Sequence, residues 1–230
     1  MLKLYRCLGS MQRVLHRFQS TNVHSSRWVV PSLEDDLEHF SASLRTPVPI
    51  CLIGDPHLRR HNEWILNLQD GFIQATKLRL HHALADFRRQ HGFGRGISAC
   101  QIGTNLRMIA LNLGYGPLTL INPKLTWTSA ETIRMWDDCM SIPRILVKKK
   151  RARSVSIVFT DDRGKEQTWN ELDVAVSELL QHEMDHLEGV LNIDQPLKDD
   201  ETESIISLDE YRRSKHHFDQ QVDYTIVGTV

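Results

Sequence analysis

The sequence predicts an α+β fold, and three observations carry that expectation. A long stretch repeats apolar residues at helical spacing, four short β-like runs follow it, and a second, strongly apolar helical stretch comes after them. In chain order, Leu33 to Ser43 suits a short acidic helix, and Thr46 to Arg60, broken by Pro47, Pro49 and Pro56, reads as an extended lead-in and turn. From Asn62 to His91, Ile65, Leu68, Phe72, Leu80, Ala83, Leu84 and Phe87 predict one long amphipathic helix, weakened at Gly71 and stopped by Gly92, Gly94 and Gly96. The β-like runs are Arg107 to Leu113, Leu118 to Thr128, Ser154 to Asp161 and Glu166 to Leu172, with Asp162-Arg163-Gly164 as a hairpin turn. The second helix is expected from about Leu172 to Glu188, closed by Gly189. Past Pro196, Glu201 to His217 places acids first and bases last, the polarity a helix dipole favours. These elements describe an antiparallel sheet with helices.

Composition narrows the class. The 230 residues are 40% apolar and 25% charged, which excludes wholesale disorder, and no apolar run approaches the length of a membrane span. Four cysteines with no close pair are not a disulfide framework and suit a reducing compartment. The net charge of −1 gives no overall attraction to nucleic acid. Yet Met1 to Pro31 holds five basic residues and no acid, interleaved with leucines and serines. That is the composition of a mitochondrial transit peptide; the alternative is a basic arm for a polyanion. The expected organisation is therefore a leader over residues 1–28, a folded domain over 29–218 and a tail over 219–230, with the matrix as destination.

The chemistry gathers on the second helix. In QHEMDH, His182 and His186 are four residues apart, so both imidazoles project from one helix face and can share a metal ion. Leu172, Val176, Leu179, Leu180 and Leu187 form the apolar stripe, and Glu183 falls on it. A carboxylate on a buried face costs several kcal/mol unless it is paired or placed for chemistry. The third ligand stays open on this reading. Asn192 occupies the position where one metalloprotease class has a histidine, Glu203 and Glu210 bracket the distance used by another, and Cys139 lies upstream. A thiolate with two imidazoles leaves a fourth position for water, the layout of a catalytic centre.

Three segments, in order, resemble the peptide deformylase family. Gly94-Arg95-Gly96-Ile97-Ser98-Ala99-Cys100-Gln101 is similar to its glycine-rich motif, Asp137-Asp138-Cys139-Met140-Ser141 to its Glu-Gly-Cys-Leu-Ser motif, and His182-Glu183-Met184-Asp185-His186 to its His-Glu-x-Asp-His motif. The similarity runs from about Ile50 to Pro196. It implies a compact α+β domain with antiparallel sheets around a central metal-bearing helix, followed here by a C-terminal helix. It also implies one divalent ion, Fe2+ first and Zn2+ as the alternative, held by Cys139, His182 and His186. The substrates would be N-formylmethionyl nascent peptides, from which the formyl group is removed.

In that chemistry Glu183 takes a proton from water and passes it to the leaving amine, while the Gln101 amide and the Met140 N–H hold the oxyanion. Gly94, Arg95 and Gly96 would lie along the substrate, with the two glycines letting the backbone approach closely. Asp137 replaces the family's Glu, with Arg151 as its expected partner, and Asp138 replaces a glycine. Arg95 and Glu178 stand where apolar residues usually line the methionine pocket, and either redirect it or pair across it. A second reading is therefore a deformylase-like interaction subunit on the mitochondrial ribosome. The run Lys148-Lys149-Lys150-Arg151 would then touch RNA phosphate, and the tail VDYTIVGTV would add to a partner's sheet. A metalloprotease using Glu203 or Glu210 is the third.

Overall fold

The computed structural model describes residues 47–198 and 203–226. The leader and the acidic helix expected at Leu33 to Ser43 lie outside the described residues. Pro47 to Leu52 is an extended lead-in, as the prolines require, and ends in a turn and a short 3-10 segment, Pro56–Arg59. The first helix, α1, spans Gly71–His91, not Asn62 to His91. It starts at Asp70, whose carboxylate accepts from Phe72 N at 2.8 Å and Ile73 N at 3.4 Å, satisfying two otherwise orphaned donors. Residues 62–70 are instead tied down as extended chain. Asn122 accepts from Ile65 N at 2.9 Å and donates to Ile65 O at 2.8 Å. The expected apolar face holds at Leu80, Ala83 and Leu84, which are buried, but at the start of the helix Ile73 is buried in place of the exposed Phe72. Gly92, with φ 78°, closes the helix.

Eight strands follow in chain order among the described residues. They are β1 Gly96–Ser98, β2 Met108–Asn112, β3 Pro117–Thr128, β4 Thr132–Cys139, β5 Ile142–Ala152, β6 Val155–Thr160, β7 Glu166–Trp169 and β8 Ile205–Ser207. They build two antiparallel sheets, one of order β1-β2-β3-β6-β7 and one of order β4-β5-β8. The predicted hairpin joins β6 to β7, with Gly164 at φ 77°. The α+β class with antiparallel sheets is the observed one.

The pair β4–β5 was not foreseen, because its residues read as a charged stretch. Lys148, Lys149 and Arg151 are nevertheless buried. Lys148 lies over the Trp136 ring at 5.2 Å, Lys149 donates to Gln195 O at 2.9 Å, and Arg151 bonds two carboxylates. The run is thus structural, and three of its four cations are turned away from any RNA.

Helix α2, Val174–Leu187, starts at the cap Asp173, which accepts from Ala175 N and Val176 N. All five apolar-stripe residues are buried. Gln181 exchanges two 2.9 Å hydrogen bonds with the backbone of Ala152, fastening α2 to the end of β5. Beyond its end Gly189, at φ 73°, passes so close to Arg59 that a Cβ would meet Arg59 O at 2.7 Å. The single helix expected at Glu201 to His217 is instead β8, then α3 Leu208–Arg213, then α4 Lys215–Asp219. Tyr211 and Phe218 from these helices pack with Trp136, Leu146 and Ile206, so the C-terminal region covers the three-stranded sheet. The tail pairs with its own chain: Tyr224 bridges Met135 of β4 in parallel. No helix among the described residues is long and apolar enough to cross a membrane.

Candidate metal centre and active site

Three chain segments meet at α2. The thiol of Cys139, at the tip of the tight β4–β5 hairpin, lies 3.3 Å from His186 Nε2. One ligand atom from each of Cys139, His182 and His186 falls within 4.8 Å of the others. Glu203 and Glu210 belong to no such cluster among the described residues. The lead-in chain sews the supporting segments together, with Cys51 N donating to Gln101 O and Ile53 N to Ser141 O, both at 2.8 Å.

The imidazoles are oriented for metal binding. His182 Nδ1 donates to Asp137 at 2.9 and 3.1 Å, which leaves Nε2 to face the centre. Asp137 also accepts from Arg151 at 2.8 Å, and Arg151 reaches Asp185 at 2.9 Å, so the expected Asp137–Arg151 partnership is present. Burial alone would raise the Asp137 carboxyl, but His182 and Arg151 override it and hold it far below the usual carboxylate range. Burial likewise works against a charged His182, and Asp137 reverses that, raising it well above the ordinary histidine value. His186 is pushed the other way, well below the ordinary histidine value, by burial and by His182. Its Nδ1 is buried without a hydrogen-bond partner. A sulfur and two ring nitrogens converging in a buried pocket suit one divalent ion with an open fourth position.

Glu183 is buried beside this cluster, and burial raises its pKa. Ser98 Oγ donates to Glu183 Oε2 at 2.6 Å and lies 2.9 Å from Glu183 O. Gly96 matters in a way the spacing did not show: a Cβ there would meet Glu183 Oε1 at 2.9 Å. A Cβ at Gly94, where φ is 112°, would strike Met140 Cε at 2.9 Å and Phe87 at 3.1 Å. Gln101 is fixed by accepting from Ser98 N at 2.8 Å and donating from Nε2 to Ser141 Oγ at 3.1 Å. Ser98 and Ser141 both lay inside the quoted motifs, but nothing in their spacing marked them as supports.

A cavity of about 50 Å³ joins these groups, and Gly94, Gly96, Gln101, Met140, His182 and Glu183 are among its walls. Arg95 and Glu178 pair across it at 2.5 Å, and Arg95 also donates to Ala175 O at 2.7 Å. Burial pushes the Glu178 carboxyl up to about 7. Asp138 sits in β4 opposite Leu146 with no positive φ, so the strand does not demand glycine there. Burial, then the charge of Asp137, raises its carboxyl to about 6. A groove of about 740 Å³, lined in part by Val48, Phe87, Cys139 and Ile145, shares Phe93, Asp138 and Met140 with the cavity.

A metal-binding helix wrapped by antiparallel sheets, with a buried carboxylate beside a Cys-His-His cluster, has the makings of a metallohydrolase. The family model described as polypeptide deformylase matches residues 47–202, and the chain belongs to that family. It is 32% identical over 146 residues to a peptide deformylase of Thermotoga sp. strain RQ2, covering 64% of this chain and 85% of that one. It is 31% identical over 158 residues to peptide deformylase 2 of Nostoc, with the same coverages. Among solved structures, the Synechococcus elongatus peptide deformylase in complex with actinonin superposes with TM-score 0.61 at 29% identity, over 67% of this chain and 82% of that one. The Thermotoga maritima enzyme superposes with TM-score 0.60 at 29% identity, over 66% and 99%.

Proposed function

We propose that this protein removes the formyl group from N-formylmethionine on new polypeptides in the mitochondrial matrix, using one divalent ion, Fe2+ or else Zn2+. The observation that carries the reading is the Cys139, His182 and His186 cluster, whose His182 also lines one cavity together with Glu183 and Gln101. The acid-free, arginine-bearing leader composition supports the location, and translation that begins with formylmethionine would supply the substrate there.

Hydrolysis adds water across the formyl C–N bond and releases formate and a free amine, so one proton must travel from water to nitrogen. When bound by Cys139, His182 and His186, a divalent ion acidifies water and polarises a carbonyl. Glu183 carries the proton: Ser98 holds Oε2, Gly96 leaves room for Oε1, and burial makes the carboxylate basic enough to accept and then return it. The Gln101 amide has two N–H groups, one given to Ser141, and the other is assigned to the formyl oxygen, with the Met140 backbone N–H as its companion. The groove of about 740 Å³ beside Met140 suits the polypeptide that follows the first residue.

One observation favours a second reading, a metal-bearing relative that no longer deformylates and associates with the mitochondrial ribosome. The Arg95–Glu178 pair fills part of the cavity with charge where a thioether would gain from apolar contact. Formate release from formyl-Met peptides by the full chain, loaded with metal anaerobically, separates the two. Stoichiometric metal without formate supports the second.

A further inference from the structure

The family match ends at residue 202, yet the chain beyond it returns to the active site. Ile226 is one of the walls of the cavity that holds Glu183 and His182, alongside Arg95, Glu178 and Leu179. We propose that the segment Asp223 to Ile226 completes the substrate pocket, with Ile226 as the residue that determines which first side chain a formylated peptide presents there. This rests on the deformylase reading for its substrate class and on the geometry of the tail for its substance.

The tail is held by more than a terminal contact. The Asp223 carboxylate accepts from Arg134 N at 2.9 Å, Nε at 3.1 Å and Nη2 at 3.0 Å. Asp223 N and Tyr224 N donate back to Arg134 O at 2.9 and 3.2 Å. Val222 packs on the Trp136, Tyr211 and Phe218 cluster. An exposed ion pair by itself adds little stability, but a bidentate pair reinforced by backbone bonds fixes position. What it fixes is the register of the tail against β4, the strand that also carries Asp137, Asp138 and Cys139.

The chemistry of the pocket explains why an apolar residue matters there. Arg95, Asp137, Asp138, Glu178, His182 and Glu183 make much of its wall ionisable. The apolar lining is left to Phe93, Met140, Leu179 and Ile226. A methionine side chain entering this space depends on that lining, whereas an alanine methyl scarcely reaches it. Ile226 therefore restores part of the apolar surface that Arg95 and Glu178 take away.

The test uses the metal-loaded full chain with formyl-Met-Ala-Ser and formyl-Ala-Ala-Ser as paired substrates, and calorimetric binding of Met-Ala-Ser as an independent readout. In Ile226→Ala the ratio of kcat/KM for the methionine over the alanine substrate falls at least about fivefold, and Met-Ala-Ser binds at least about fivefold more weakly. Asp223→Ala, which releases the anchor and leaves the pocket side chains intact, lowers the ratio in the same direction. Metal content and thermal midpoint confirm that both variants fold. A ratio unchanged within about twofold, or one that rises, overturns the proposal. If the wild type releases no formate, the deformylase reading fails and tripeptide binding decides: weakening in Ile226→Ala upholds the pocket, and equal binding overturns it. A wild type that neither releases formate nor binds Met-Ala-Ser overturns both.

Discussion

The carboxylate of Glu183 lies against the α-carbon of Gly96, where a Cβ would come within 2.9 Å of Oε1 and 3.1 Å of Cγ. Ser98, two residues along the same strand, holds the other carboxylate oxygen at 2.6 Å. One short strand thus both admits and orients this carboxylate, the proposed proton carrier. Gly96→Ala should displace Glu183 and lower kcat for formate release by about 10²-fold, the scale on which misplaced catalytic groups act. Bound metal should stay near one per chain. Full activity in Gly96→Ala would show that this clearance does not matter.

Ser98→Ala frees Oε2 and removes a short hydrogen bond to the Glu183 carboxylate. The expected loss in kcat is about tenfold, smaller than that for Glu183→Gln because the carboxylate remains. The acid limb of the rate profile should also move upward, since Ser98 favours the ionised form of Glu183 and opposes the effect of burial. Rate profiles of the two proteins compared over the same pH range check both statements.

Asp137 orients His182 and neutralises Arg151 in a buried cluster. Asp137→Asn keeps the shape but leaves Arg151 with less than its charge requires. Supporting partners of metal-binding histidines typically matter by about 10–100-fold in metal affinity, and the variant should lose metal to a competing chelator by that factor. Cys139→Ala should lose it outright. Metal retained by Cys139→Ala would return Glu203 or Glu210 as the third ligand.

The Arg95–Glu178 pair makes stability depend on pH. Burial raises the Glu178 carboxyl from 4.5 to about 7, with Arg95 pulling part of the way back. A carboxyl that holds its proton more tightly in the folded chain contributes most stability below its unfolded pKa. That contribution is lost as pH rises through the folded value. The stability of wild type relative to Glu178→Gln should therefore decline between about pH 5 and about pH 8. Thermal unfolding midpoints of the two proteins give the comparison, and parallel curves would contradict it.

Much of this fold could be read from residue pattern, and what escaped did so for identifiable reasons. The apolar stripe and the paired histidines of α2 depend on local periodicity, so both were legible. The start of α1 was misplaced because Asp70 caps there and Asn122, 57 positions away from Ile65, claims the preceding chain as extended. The β4–β5 hairpin was invisible because Asp137, Lys148, Lys149 and Arg151 mimic a solvated surface and are in fact buried among partners. The basic run reads as a solvated sheet edge, with RNA contact as the alternative, for the same reason. The place of Ile226 beside Glu183 depends on Asp223 finding Arg134, 89 positions away, which no local pattern records.

Glu183→Gln, compared with the metal-loaded wild type for formate release from a formyl-Met peptide, bears most directly on the whole account. The wild type should release formate with close to one metal per chain, and the variant should keep the metal while losing at least about 10²-fold in rate. Formate release undiminished in Glu183→Gln, or a fully metallated wild type that releases none, would contradict it.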